Sequence, residues 1–328
     1  MNLATNAGDA WLADYENLVA RAALVDLGHR TQIELTDADR ASFLHNLCTN
    51  DVRGLAPGKG CEAFLTNVQG KTIGHIFAFA GPESIVISTV PDQGEKIMAH
   101  LDHYLVSERV SLSDRSDEWI ELYLGGPQSS AVVAHAIDAE PPRERLAHTA
   151  ATIDGRDAWI RRVELTSPDG YLIAATREDA EAISAAVQKH GAATASHEAF
   201  EAARIEHRFP LFARDITDKN LPQEIGRDSL AISFKKGCYL GQETVARIDA
   251  LGHVNQSLVA VKFDGASIPT AGTVLSSDGQ AIGHVTSATF SPSLGQPLAL
   301  AYVRRGHNAG GTRLESPVGA AEILTSPA

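Results

Sequence analysis

The densest run of reactive groups is Lys236-Gly237-Cys238-Tyr239-Leu240-Gly241-Gln242-Glu243, with a thiol, a cation, a carboxylate and two glycines. A thiol becomes a nucleophile as its thiolate, and a lysine two positions away favours that form. The free N–H groups of a helix start would favour it too, and a helix is expected over 242–250. The two glycines permit positive φ or a close approach of backbone to another group. Lys236 and Cys238 are therefore the candidate catalytic pair of a reactive loop. A glycine turn around a half-buried, inert cysteine uses the same residues equally well.

A second cluster, Arg204-Ile205-Glu206-His207-Arg208-Phe209-Pro210-Leu211-Phe212, sets a carboxylate among cations ahead of a proline-broken aromatic run. On a solvated helix face Glu206 would simply pair with Arg204 or Arg208. Asn50, in Thr49-Asn50-Asp51, has the setting of a turn asparagine after a helix. Two apparent motifs fail. Gly70-Lys71-Thr72 resembles the end of a phosphate loop, but Leu65 stands where a glycine is required and the context is a hairpin, so Gly70 is expected to be a turn residue. His197-Glu198 opens a helix, yet position 201 is Glu201 rather than the second histidine of a zinc protease. No other histidine or cysteine spacing suggests ligation, so no metal site is expected.

Lys-Gly-Cys-Tyr-x-Gly-Gln-Glu resembles the signature of the YgfZ proteins, folate-binding relatives of the aminomethyltransferase (T protein) of the glycine cleavage system. The likeness runs from Phe43-Leu44 through Ala203-Arg204-Ile205-Glu206 to the C-terminal segment. It implies an α+β fold with three lobes, antiparallel sheets and a C-terminal β-barrel, and it implies tetrahydrofolate or a derivative as cofactor. By resemblance, Glu206 grips the pterin, whose aminopyrimidinone edge offers two neighbouring N–H donors that one carboxylate accepts together. Asn50 matches a loop facing the same cavity. Tyr171, Gln242, Glu243 and Arg247 complete the cofactor-binding positions, the last three sharing the reactive loop with Lys236 and Cys238.

Where aminomethyltransferases carry a catalytic aspartate, this chain reads Gly74-His75, with Lys71, Thr72 and Ile73 before it. Their Thr-Gly-Glu-x-Gly-Tyr-Glu run reads Thr166-Ser167-Pro168-Asp169-Gly170-Tyr171-Leu172, which loses both glutamates. Transferase activity is therefore not expected. The resemblance implies instead a folate-binding accessory that assists iron–sulfur cluster assembly or repair in client enzymes, including RNA-modifying ones. Cys238 could carry a persulfide or lend one ligand to a transient cluster, though stable clusters usually need about four. The alternatives are a working aminomethyltransferase and a plain folate-binding module.

Elements must position these groups. Trp11, Tyr15, Leu18 and Ala22 form one helical stripe, with Asp9 as its N-cap. A strand is expected over 31–36, then a helix capped by Asp37 and carrying Phe43, Leu44 and Leu47. An antiparallel meander spans 62–88, broken at Gln69-Gly70 and Gly81-Pro82. A helix over 92–103 leads to a strand at 119–124, closed by Gly125-Gly126-Pro127 before an alanine-rich helix. Strands around 159–163 and 171–175 precede helices over 178–190 and 196–207. Short β runs between glycine and proline turns after Gly252 suggest a small barrel. The division expected is 1–140, 141–251 with the reactive loop, and 252–328.

Hydrophobic residues make up 44% of 328, enough for substantial cores. A net charge of -13 argues against a general nucleic-acid surface. Three cysteines without a CxxC pair fit a reducing cytoplasm, and the first residues lack a signal-peptide pattern. No apolar run is long enough to span a membrane.

Overall fold

A computed structural model describes residues 10–325. The residues group into two compact units, Met1–His45 with Asp51–Glu62 and Ile76–Ala203, and Asn46–Asn50 with Ala63–His75 and Arg204–Ala328. The division into 1–140, 141–251 and 252–328 stands beside this as a proposal.

The first unit holds a six-stranded sheet ordered Ala193–Thr194, Ala23–Asp26, Trp119–Gly125, Gly170–Thr176, Arg156–Arg162 and His148–Ile153. All its pairings are antiparallel except the short one between Ala23–Asp26 and Ala193–Thr194. Gly170–Thr176 is buried along nearly its whole length, as a central strand covered on both faces should be. Helices Ser129–Ala136 and Ala180–Lys189 contribute Val132, Val133, Ile183 and Val187 to the core that covers one face. A second, five-stranded sheet orders Lys59–Thr66, Thr72–Ala80, Ile85–Thr89, Thr31–Thr36 and Ser111–Asp114. Its first three strands are the expected meander.

Residues 256–323 close into a barrel of six strands, Gln256–Phe263, Gln296–Arg304, Gln280–Ser291, Val274–Ser277, Arg313–Ser316 and Gly319–Ile323. Gln296–Arg304 shows why the strand reads as almost wholly apolar. Ala299, Ala301 and Val303 fill the barrel, while Leu298 and Leu300 face the other way and meet Ile205 and Ala260. The fold is the α+β class with antiparallel sheets and a C-terminal barrel that the sequence implied.

Local expectations differ in places. The first helix is Ala10–Ala20, so Ala22 lies beyond it, and Asp9 falls outside the described residues. Asp37 does not cap its helix, which starts at Arg40. It adopts φ 73° and accepts a hydrogen bond from Ser111 instead. The strand Arg313–Ser316 was not anticipated, because its alternation is only two residues deep.

Candidate functional site

The loop at residues 236–243 is fastened at several points within the second unit. Asn67, Gln69 and Gly70 make an Asx-type turn, in which Asn67 Oδ1 accepts from Gln69 N and Lys71 N at 3.0 and 2.9 Å. Gly70 takes φ 74°, and Gly241 takes φ 77° immediately before the helix Gln242–Leu251. The two glycines lie against each other: a Cβ on Gly241 would come within 2.7 Å of Gly70 Cα. Leu240 N donates to Asn46 O at 2.8 Å, and Thr66 Oγ1 donates to Leu240 O at 2.6 Å. Gln242 N and Tyr239 O are 3.1 Å apart, and Tyr239 N returns a bond to Gln242 Oε1 at 3.3 Å. Gly237 differs from Gly241. Its φ is not positive and nothing stands within 4 Å of a Cβ there, so only the second glycine is sterically required.

Lys236 points its ammonium inward to the chain after residue 47. It donates to the carbonyls of Cys48 and Asn50 at 2.8 and 2.9 Å, and it lies 4.8 Å from the centre of the Tyr239 ring. The charge expected to support the Cys238 thiol is thus engaged with carbonyls and an aromatic face. Cys238 itself is exposed, whereas Cys48 and Cys61 are buried. Tyr239 is buried, which pushes its phenol well above the ordinary range, with Cys48 adding to the effect. Asn50 donates its amide to Leu230 O at 3.0 Å, and Thr49 bridges Ala231 O and Phe64 N. Asn50, Lys236 and Tyr239 are therefore brought together. Gln242 serves the loop, and Glu243 and Arg247 are exposed on the helix that leaves it.

The Arg-x-Glu segment lies at the end of the helix His197–Glu206. Arg204 is fully buried and donates to Asp215 Oδ2 at 3.0 Å, Ser287 Oγ at 3.0 Å and Phe209 O at 3.1 Å. Asp215 also accepts from Leu211 N, Thr286 and Ser287. A buried ion pair is tolerable only when its remaining hydrogen-bonding positions are filled in this way. Glu206 is half-buried, and its Oε1 accepts from Ser291 Oγ at 2.5 Å, Ser293 Oγ at 2.7 Å and Ser293 N at 3.3 Å. Asp215 is a buried ion partner of Arg204, and of the serines that orient Glu206, Ser291 ends the strand Gln280–Ser291 while Ser293 lies in the turn that follows.

Gly74 and His75 are buried in the strand Thr72–Ala80. The His75 ring stacks on Phe64, with centroids 5.0 Å apart, and faces Phe209 at 5.7 Å. Arg227 covers the Phe209 ring at 4.9 Å. An aromatic stack therefore occupies this stretch of strand. Tyr171 belongs to the first unit and is fully buried. Its hydroxyl meets Ser130 Oγ at 3.0 Å and accepts from Arg162 Nη1 at 3.1 Å. As it stands it offers no surface for direct contact with a ligand.

Several contributors carry no local signal in the sequence. Thr49, Thr66 and Asp215 act through partners far along the chain, and nothing in their neighbours' spacing marks them. Among the described residues no group of three or more histidine, cysteine, aspartate or glutamate side chains could hold a metal ion. No described helix is long and apolar enough to cross a membrane.

This combination of largely antiparallel sheets and a closed six-stranded barrel is the fold of an aminomethyltransferase. The glycine cleavage system aminomethyltransferase T from Bartonella henselae matches it with a TM-score of 0.87, covering 97% of this chain and 89% of that one at 21% identity. The chain belongs to the glycine cleavage T-protein family, matching the GCVT N-terminal domain over residues 4–236 and the glycine cleavage T-protein C-terminal barrel domain over 256–327. It is 26% identical to an aminomethyltransferase of Rubrobacter xylanophilus over 89% of this chain and 78% of that protein. It is 28% identical to one from Thermus thermophilus over 89% and 82%. A putative chloroplastic transferase of Arabidopsis thaliana is 26% identical over 86% and 65%.

Proposed function

We propose that this chain binds a reduced folate on the aminomethyltransferase scaffold, does not transfer aminomethyl groups, and uses the Cys238 loop to assist iron–sulfur cluster assembly or repair in client enzymes. The observation that carries the loss of transfer is the buried stack of Phe64, His75 and Phe209. By the family resemblance the catalytic aspartate belongs at Gly74-His75, and neither a glycine nor an imidazole packed between phenyl rings offers a carboxylate to developing positive charge.

Folate binding is supported by family membership and by Glu206. Its carboxylate, oriented by Ser291 and Ser293, has the chemistry to accept two N–H groups from a pterin edge. A bound tetrahydrofolate would supply the amines that carry a one-carbon unit. Glu206 would read the pterin, Asn50 would border it, and Gln242 would hold the adjoining loop in shape. The iron–sulfur role rests on the resemblance of residues 236–243 to the YgfZ signature, and exposure of Cys238 is consistent with it.

The relatives' names favour a second reading, a working aminomethyltransferase. Titration with tetrahydrofolate and assay of methylene transfer from aminomethylated carrier protein separate the two. The first reading expects saturable binding without turnover, and turnover at a transferase's rate would replace it with the second. A deletion strain that loses iron–sulfur enzyme activities and is rescued by the wild type but not by Cys238→Ala would support the loop's part. Full rescue by Cys238→Ala would remove it.

A further inference from the structure

A cleft of about 410 Å³ opens between the end of the helix Gln242–Leu251 and the barrel strand ends, lined among others by Gln223, Asp228, Asp249, His253 and Arg305. That volume suits a small molecule. Its wall has an unusual deficit. Gln223 is 7% exposed and gives its amide N–H to Val245 O at 2.7 Å, yet its carbonyl oxygen Oε1 is buried without a hydrogen-bond partner. Asp228 Oδ1 is likewise buried and unpartnered. Buried acceptors left unfilled cost free energy, so native proteins rarely leave two in one place. Asp249 lines the same cleft.

We propose that this cleft binds a small organic cation bearing a primary ammonium or guanidinium group, which donates to Gln223 Oε1, Asp228 and Asp249. The proposal is independent of folate and of Cys238. A guanidinium carries several donors in a planar fork, which matches a carboxylate and an amide oxygen together. A metal ion is the poorer match, because the described residues hold no group of three or more ligating side chains and hard cations need more oxygen ligands than two carboxylates and an amide supply. Asp228 is also held at about 6, above the ordinary carboxylate range, by burial and by Asp249. A cation in the cleft would offset the repulsion from Asp249 and favour the ionised carboxylate. Gln223 ties the cleft to the helix that begins at the reactive loop, through Val245.

The test is calorimetric titration of the full chain with agmatine, which offers both an ammonium and a guanidinium. Saturable binding at neutral pH is expected, about tenfold or more weaker in Asp228→Asn and in Asp249→Asn, as loss of a charge-assisted hydrogen bond implies. Affinity should fall on acidification below about pH 6 as Asp228 takes up a proton. The groups facing it are Asp249, His253 and Arg305. Asp228→Asn should flatten that pH dependence. Absence of saturable binding, or affinity unmoved by both substitutions, would overturn the proposal. So would tighter saturation by Ca²⁺ lost in the same variants, which would make the cleft a metal site.

Discussion

Gly241→Ala should undo the reactive loop, and Gly237→Ala, four positions earlier in the same motif, should not. At Gly241 two costs combine. An alanine at φ 77° is in the left-handed region, which costs about 1–2 kcal/mol. Its Cβ would lie 2.7 Å from Gly70 Cα and 2.9 Å from Gly70 N, and closer still to the Asn67 carbonyl oxygen. All three neighbours are backbone, so relief requires the loop to move, and overpacking of this kind adds about 1–3 kcal/mol. The sum is about 2–5 kcal/mol. Gly237 has neither the positive φ nor a neighbour within 4 Å, so alanine there should be neutral or stabilise by up to about 1 kcal/mol through the unfolded chain. Trp11, Trp119 and Trp159 all belong to the first unit, so tryptophan fluorescence would not report on the loop directly. Amide hydrogen exchange of Leu240 and Gln242, which donate to Asn46 O and Tyr239 O, does report on it. Retained protection at both amides in Gly241→Ala, with stability within about 0.5 kcal/mol of wild type, would refute the argument.

Glu206→Ala is expected to weaken tetrahydrofolate binding by about 1.5–3 kcal/mol, the range for a hydrogen bond to a charged group. Unchanged affinity in the folded variant, measured by calorimetry, would take Glu206 out of the site. Asp215→Ala should destabilise the protein by about 3–5 kcal/mol in urea unfolding, because it removes a buried carboxylate paired with the Arg204 charge, and a loss below about 1 kcal/mol would contradict that. Asp228→Asn should act in the opposite direction. With its carboxyl raised to about 6, the folded state binds the proton more tightly than the unfolded state, so stability present at low pH is lost as pH rises through about 4 to 6. The asparagine variant should lack that slope and be more stable near pH 7 by about 1–2 kcal/mol once partial solvent screening is allowed for. Parallel pH profiles of the two proteins would rule this out.

The elements were legible where period and punctuation agree. Gln69-Gly70 and Gly81-Pro82 separate the strands of the meander, and the glycine-rich spacing after Gly252 marks the barrel. Asp37 misleads because Asp is a good cap by type, yet here its backbone bends at positive φ and its carboxylate turns to Ser111. The candidate site was proposed from residue types, and its partnerships were not legible in the sequence. Lys236 is two residues from Cys238, and short separation suggested that its charge serves the thiol. In the fold it reaches carbonyls nearly two hundred positions away in sequence. Arg204 and Glu206 sit two apart near a helix end, so their side chains point to different neighbours. One finds Asp215 and the other finds Ser291 and Ser293. Long-range pairing of this kind leaves no periodic trace.

On the proposed reading, the replacement at Gly74-His75 is more than the loss of one acid. His75 fills a space bounded by Phe64 and Phe209, and Phe209 in turn carries Arg227 on its ring and lends its carbonyl to Arg204. Returning a carboxylate to position 75 would place it between aromatic faces at a position only 7% exposed. Desolvation there would favour the protonated, neutral form, which cannot stabilise positive charge. The same change would leave unfilled the space that the imidazole occupies, beside the ring on which Arg227 lies. On that reading, transfer chemistry at this position would depend on the packing around the strand as much as on the side chain itself. That is why the scaffold can keep the Arg204–Asp215 anchor and the oriented Glu206 while its neighbouring strand is committed to an aromatic core.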